Sequence, residues 1–278
     1  MTLRTLETAL TDAGIPKEDA AYEARLLISH FTGISHAMLL TMRNEAIESP
    51  ALEEAVARRC RREPLQYILG TWEFMGLPFT VSPDCLIPRP DTETLVEAAL
   101  PCLPKGARVA DLCTGSGCIG ISLAKFRPDI TVTAVELFEK TAQMAEHNAR
   151  NLSVADRFTV LRGDVTEKIF PDGTFFDIIV SNPPYIASTE MEALAPEIAF
   201  EPRAALTDEG DGLSVIRGVL RTAAETLTPD GTLFMEFGAY QGESVLALAE
   251  SMHLSGTILR DAGGHDRVLA AHRCAPAI

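Results

Sequence analysis

Apolar residues recur at helical spacing through the first seventy positions. Leu3, Leu6 and Leu10 mark one face of a helix, and Gly14-Ile15-Pro16 closes it. Tyr22, Leu26, Leu27 and Phe31 mark a second helix over 20–31, closed by Thr32-Gly33. Ser35 is placed to cap a short third helix through Met42, and Leu52, Val56 and Arg59 set the turns of another from Pro50 to Arg62. The pattern then shortens. Phe74 to Gly76 and Phe79 to Ser82 read as two strands of a hairpin around Leu77-Pro78. An extended stretch, Leu86-Ile87-Pro88-Arg89-Pro90, leads into a helix that Asp91 or Thr92 could cap. From Gly106 onward apolar strands alternate with amphipathic helices. Strands are predicted near 107–112, 130–135, 157–161, 175–180, 231–237, 255–260 and 266–272, and helices near 117–126, 138–151, 212–227 and 241–251. Alternation of this kind predicts a doubly wound, mostly parallel α/β sheet of seven strands. Only Asp261 to Asp266 separate the last two strands, too few residues for a parallel crossover, so the final strand should run antiparallel.

In such a sheet, ligands bind beyond the carboxyl ends of the strands, and four strand ends carry suggestive chemistry. The first strand ends in Asp111 and runs through Cys113-Thr114-Gly115-Ser116-Gly117 into a helix. Glycines let backbone turn sharply against a ligand, but the run lacks both the usual dinucleotide spacing and the Lys-Ser or Lys-Thr of a phosphate loop. Asp111 would repel phosphate and suit a cationic amino group. The second strand ends at Glu136, placed to accept two ribose hydroxyls. After the third strand, Asp164 could accept from an adenine amine and Val165 could pack on its ring. The fourth ends in Asn182-Pro183-Pro184-Tyr185. Two prolines stiffen that loop and leave carbonyls without competing N–H donors. Asn182 and the Pro183 carbonyl can then accept both hydrogens of a planar –NH2 group, with Tyr185 against its face. A pocket for an amino acid, a ribose and an adenine, without phosphate, fits S-adenosylmethionine and not NAD or ATP.

Composition narrows the partners. The 278 residues are 46% hydrophobic, enough for a sizeable core, and carry a net charge of −15. Residues 1–75 hold eleven acidic and eight basic residues, a net of −3, which leaves −12 for the remainder. Tight duplex binding needs several phosphate-neutralising Lys or Arg, so no direct nucleic acid contact is expected. The Arg58-Arg59-Cys60-Arg61-Arg62 cluster reads as a solvated helix face. No apolar run reaches the length of a membrane span, and Met1 to Gly14 has no signal-peptide character. Six cysteines without metal-ligand spacing suit a reducing cytoplasm, with no metal expected.

The chain resembles the release factor glutamine N5-methyltransferases, class I S-adenosylmethionine-dependent enzymes. The resemblance rests on Pro64 to Gly70, the Phe74 to Pro78 hairpin, Leu86 to Glu93, the glycine turn, Asn182 to Tyr185, Glu201 to Leu206, and Gly210-Asp211-Gly212-Leu213. Asn-Pro-Pro-Tyr alone is shared with nucleic acid amino-methyltransferases, whereas the Ile87–Glu93 and Glu201–Leu206 stretches are more selective. The resemblance implies a helical N-terminal substrate-recognition domain over 1–72, a hairpin and linker over 73–90, and a methyltransferase domain over 91–278. It implies methyl transfer to the glutamine of a Gly-Gly-Gln tripeptide in peptide chain release factors, leaving S-adenosylhomocysteine. Asn182, Pro183 and Tyr185 would be catalytic. Pro184, Arg89 and Glu201 would join them in binding substrate, and Asn182 would also face the cofactor along with residues 111, 113–117, 136, 164 and 165. Two residues depart from the family pattern: Cys113 stands where glycine is usual, implying a slightly displaced loop, and Val165 stands where some members have an aromatic.

Other readings remain open on sequence alone. The same loop would serve glutamine methylation of a ribosomal protein, or amino-methylation of a nucleic acid base, which the charge disfavours. A non-catalytic adaptor that keeps the cofactor fold would have no need of an intact Asn182–Tyr185 loop.

Overall fold

The computed structural model describes residues 1–274, so the last four positions of the 91–278 domain lie outside the described residues. The chain divides into two compact units, one of Met1–Thr71 with Ala195–Phe200, the other of Trp72–Leu194 with Glu201 onward. The second unit takes in the hairpin that sequence assigns to a linker.

The first unit is helical: α1 (Leu3–Asp12), α2 (Lys17–Thr32), α3 (His36–Thr41), α4 (Pro50–Cys60) and α5 (Leu65–Leu69). Local chemistry sets its boundaries. Thr2 and Thr5 form a capping box at α1, and the Ser35 and Ser49 hydroxyls accept from Met38 and Leu52 N–H. Gly33 and Gly70 end α2 and α5 in the left-handed conformation. Helix α5 is too short for its periodicity to show in the sequence. Of the arginine cluster, Arg61 is exposed as expected, but Arg58, Arg59 and Arg62 depart from the solvated face expected of them. Arg59 is only 5% exposed and forks onto Glu23 (2.6 and 2.9 Å) while also reaching Glu197 (3.0 Å). Arg62 pairs with Glu197 as well, and Arg58 with Glu63. Buried cations need partners, and these hold the Ala195–Phe200 segment within the helical unit.

A hairpin follows, β1 (Thr71–Phe74) and β2 (Leu77–Thr80), which belongs to the second unit from Trp72 onward. Its turn is Met75-Gly76, not Leu77-Pro78. Both turn residues have positive φ (53° and 70°), the backbone twist that two-residue hairpins favour. Pro78 is tolerated because this two-stranded ribbon consists of edges. Helix α6 (Pro90–Ala99) starts without a side-chain cap because the residue before it is Arg89, whose guanidinium carries only donors, while Pro90 at its first position has no N–H to satisfy. Glu93 instead accepts the Met75 N–H (2.6 Å) and ties the hairpin turn to α6.

Alternation follows as the apolar pattern predicts: β3 (Arg108–Leu112), α7 (Cys118–Phe126), β4 (Thr131–Glu136), α8 (Glu139–Asn151), β5 (Phe158–Arg162), β6 (Phe176–Ser181), α9 (Ser214–Thr226), β7 (Leu227–Glu236), α10 (Gly242–Ser251), β8 (Leu254–Arg260) and β9 (Asp266–Arg273). Strand β7 begins earlier than expected, with a register shift where it meets β6. The seven strands lie in the order β5-β4-β3-β6-β7-β9-β8, parallel except for β9, which is antiparallel to both neighbours. One apolar layer fills each face. Leu95, Ile121, Leu123 and Phe158 build one with Phe74 and Phe79 of the hairpin, and Ile216, Val219, Leu220 and Val245 build the other. Each such side chain contributes roughly 1.5–3 kcal/mol on burial. No helix among the described residues is long and apolar enough to cross a membrane.

Successive strands run outward from β3 to β4 and β5 on one side, and from β6 to β7 on the other. The order therefore reverses between the adjacent strands β3 and β6, and a crevice opens there at the carboxyl ends.

Candidate active site

A cleft of about 420 Å³ occupies that crevice, within the size range of small-ligand sites. It is lined by the 113–116 turn, Glu136, Asp164-Val165, Asn182, Pro184, Arg89 and Thr92, among others. Four strand ends singled out by sequence thus meet at one place. Among its lining residues, Asp84, Glu136, Asp164, Asp208 and Glu209 are acidic and only Arg89 is basic, and Arg89 is already bonded to Glu201. A wall with that balance repels phosphate and accepts a cationic ligand.

The glycine turn is fastened at both ends. Thr114 N–H donates to Val135 O (3.0 Å), and Gly117 N–H returns to Thr114 O (2.9 Å). Gly115 and Gly117 have φ of 57° and 84°. Cys113 also adopts a left-handed φ of 60°, which glycine takes freely and other residues enter at roughly 1–2 kcal/mol. Cys113 therefore carries a backbone cost that a glycine at this position would not. Asn148 of α8 braces it, donating to Ser116 O (2.9 Å) and Thr80 O (3.0 Å) while accepting Thr80 N–H (2.9 Å). Glu136 accepts Gly115 N–H (3.1 Å) on one oxygen and Phe138 N–H (3.0 Å) on the other. Both oxygens keep spare lone pairs, and the residue lines the cleft. Burial raises its pKa, opposed by those backbone donors. Asp164 uses one oxygen to accept from Thr166 N–H and hydroxyl (2.8 and 2.7 Å).

Asp111 departs from the role read for it. It is fully buried and is not on the cleft wall. Its Oδ2 accepts from the Thr114 hydroxyl (2.6 Å) and Gly120 N–H (3.0 Å), so it fastens the turn to α7. Gly120 is required here, because a Cβ would lie 2.7 Å from that oxygen.

In the Asn182–Tyr185 loop, Asn182 and Pro184 line the cleft and Pro183 is buried. Tyr185 directs its hydroxyl to Glu236 (3.0 Å), and its carbonyl accepts from Gln241 Nε2 (2.9 Å). Glu201 is buried and does not line the cleft. It bonds Arg89 and accepts Ile87 N–H (3.1 Å), and so fixes the extended segment before α6. Its neighbour Arg203 pairs elsewhere, with Glu209 on the surface.

A family model for the methyltransferase small domain matches residues 91–223, and one for the PrmC N-terminal domain matches residues 2–70. A release factor glutamine methyltransferase of Bordetella pertussis is 42% identical over 95% of this chain and 97% of its own length. One from Geobacter sulfurreducens is 41% identical over 94% and 91%. This chain belongs to the release factor glutamine methyltransferase family. A solved methyltransferase from Pyrococcus furiosus, 17% identical, superposes with a TM-score of 0.55 over 73% of this chain and 91% of that one, which supports the fold.

Within this member of the release factor glutamine methyltransferases, Asp111 makes stability depend on pH. Burial pushes its carboxyl from the ordinary 3.8 to about 7, with Glu136 adding to the rise and the Thr114 and Gly120 donors opposing it. Below 3.8 the group is protonated whether the chain is folded or not. Above it, the unfolded chain releases a proton that the folded chain retains, so this group's contribution falls as pH rises toward 7. Asp111→Asn should flatten the decline in melting temperature of the ligand-free protein between pH 4 and pH 8. Equal slopes for the two proteins would contradict a raised carboxyl.

Proposed function

We propose that the chain transfers the methyl group of S-adenosylmethionine to the side-chain amide nitrogen of a glutamine in peptide chain release factors, in the cytoplasm. What carries the reading is Asn182, at the end of β6, sharing one acid-lined cleft with Glu136, at the end of β4. When bound, the cofactor supplies a methyl group on a cationic sulfur. The residues present suit it: Glu136 offers acceptors for two hydroxyls, Val165 an apolar wall, and the lining acids a favourable field for positive charge. Glu136→Ala removes two charge-assisted bonds and should raise the KM for S-adenosylmethionine about 100-fold or more, with a smaller change in kcat at saturation. An unchanged KM would remove Glu136 from the cofactor site.

An amide nitrogen is a poor nucleophile because its lone pair is delocalised, and the lining holds no histidine or lysine to act as a base. The proposed catalysis is positional. The Asn182 side-chain oxygen and the Pro183 carbonyl accept the two amide hydrogens and orient the nitrogen. They also stabilise the positive charge that grows on it. The helical unit Met1–Thr71 is assigned recognition of the protein substrate.

Transfer of labelled methyl to a purified release factor tests the function, beside a version whose Gly-Gly-Gln is changed to Gly-Gly-Ala. Label in the unchanged factor alone supports the proposal. Label in both would move the target to another residue, and label in neither would discard the substrate.

A further inference from the structure

Two polar side chains that the mechanism above leaves unused, Glu236 and Thr92, lie behind Asn182, and their hydrogen-bonding inventory bears on the direction of its amide. Glu236, at the end of β7, is 1% exposed, and its Oε1 accepts the Tyr185 hydroxyl at 3.0 Å. Its other oxygen, Oε2, is buried with no partner at normal hydrogen-bond distance. Burial raises the pKa of this carboxyl, and Thr92, 2% exposed on the first turn of α6, opposes the rise together with Tyr185, each as a hydroxyl donor that favours the charged form. Thr92 Oγ1 is also 3.1 Å from the amide nitrogen of Asn182. Arg267 adds positive charge near Glu236 while bound to Asp261 (3.0 Å) and Asp91 (3.3 Å).

In the charged form that Arg267 and the two hydroxyls favour, Glu236 only accepts, and a threonine hydroxyl has one proton to give. An unpartnered buried carboxylate oxygen is costly, so the Thr92 proton points to Glu236. The Thr92 oxygen is then left with lone pairs alone, and only the –NH2 end of Asn182 can bond to it. Its Oδ1 must face the other way, into the cleft that Asn182 lines. We propose that Glu236 and Thr92 are positioning residues that hold the Asn182 amide with its acceptor toward the substrate, while Glu236 also anchors Tyr185. Without them the amide could present either end, and its –NH2 end would meet the donors of a substrate amide with a donor of its own.

This inference rests on the amide-cradle reading of Asn182, and its test separates the two. Steady-state methyl transfer to a release factor would be measured for the full chain and for Asn182→Ala, Thr92→Val, Thr92→Ser and Glu236→Gln, with melting temperatures and S-adenosylmethionine binding alongside. Thr92→Val keeps the shape and loses the hydroxyl. It should lower kcat at least about tenfold with both KM values within about twofold, the pattern of a lost transition-state interaction. Thr92→Ser restores the hydroxyl and should recover most of that loss. Glu236→Gln has one acceptor oxygen for two hydroxyls and should also lower kcat while cofactor binding holds. If Thr92→Val turns over within about twofold of the parent while Asn182→Ala is crippled, the relay is wrong and the cradle stands. If Thr92→Ser is as slow as Thr92→Val, or if both lose melting temperature and cofactor binding together, the role is packing and the relay is overturned. If Asn182→Ala is itself fully active, both readings fall.

Discussion

Asn182→Ala is expected to lower turnover at least about 100-fold, the effect of deleting one preorganised hydrogen-bonding group aimed at developing charge. The expectation follows from where the residue stands. It lines the cleft at the end of β6, it is held from behind by Thr92 at 3.1 Å, and two prolines follow it. Such a group needs no reorganisation when charge develops on the amide nitrogen, and that absence is the source of its effect. S-adenosylmethionine binding should change only a few-fold, because Glu136 and the 113–117 turn remain. Asn182→Asp is an informative companion. It keeps an oxygen toward the cleft but cannot donate to Thr92, so it too should be slow. Single-turnover transfer of labelled methyl to a release factor, with cofactor binding measured separately, checks both. Parent-like turnover by the alanine variant would take Asn182 out of catalysis.

What the sequence made legible was local. A strand that ends in a glycine turn, or in Glu136, or in Asn-Pro-Pro-Tyr, carries its meaning within ten residues, and the βα alternation that brings those ends together is itself a periodic signal. Asp111 was misread although its partners are close by, Thr114 and Gly120 lying 3 and 9 positions on: the course of the turn decides which side its carboxyl falls on, and it proved to be a fastening of the backbone. Arg59 was misread for a different reason, since its counter-charges Glu23 and Glu197 lie 36 and 138 positions away. Glu236 was signalled only by a lone acid at the end of an apolar strand, and Thr92 looked like an ordinary helix cap. Gln241 and Asn148 gave no signal. Each of these binds across sequence separations that only the folded sheet closes. The hairpin slipped because Met75, not a residue known for positive φ, occupies the first turn position.

Gly212→Ala is expected to be as damaging as a change within the cleft, though Gly212 is not among the cleft-lining residues. Its φ is 74°, and a Cβ there would lie 2.2 Å from the carbonyl oxygen of Tyr185 and 3.0 Å from Gln241 Nε2, the donor that holds that oxygen. The methyl group would thus displace the clamp that fixes the end of the Asn182–Tyr185 loop. The surrounding loop has little freedom to yield. Asp208 accepts Gly210 N–H, Gly212 N–H and Ser214 N–H at 2.8, 2.9 and 2.8 Å. A left-handed alanine costs roughly 1–2 kcal/mol and overpacking adds about 1–3 kcal/mol. At about 2–4 °C per kcal/mol for a chain of this size, the melting temperature should drop by roughly 5–15 °C. Turnover below the transition should fall about tenfold or more as the Tyr185 carbonyl moves and Asn182 loses its register. Gly210→Ala is the control, since its nearest contact would be an ordinary 3.4 Å to Asp208 and its backbone is not left-handed. It should melt within a few degrees of the parent. The Gly210-Asp211-Gly212-Leu213 stretch therefore contains one glycine that sterics demand and one that they do not. A Gly212→Ala protein that melts and turns over like the parent would show that the loop has room to move and that the Gln241 clamp does not hold the catalytic segment in place.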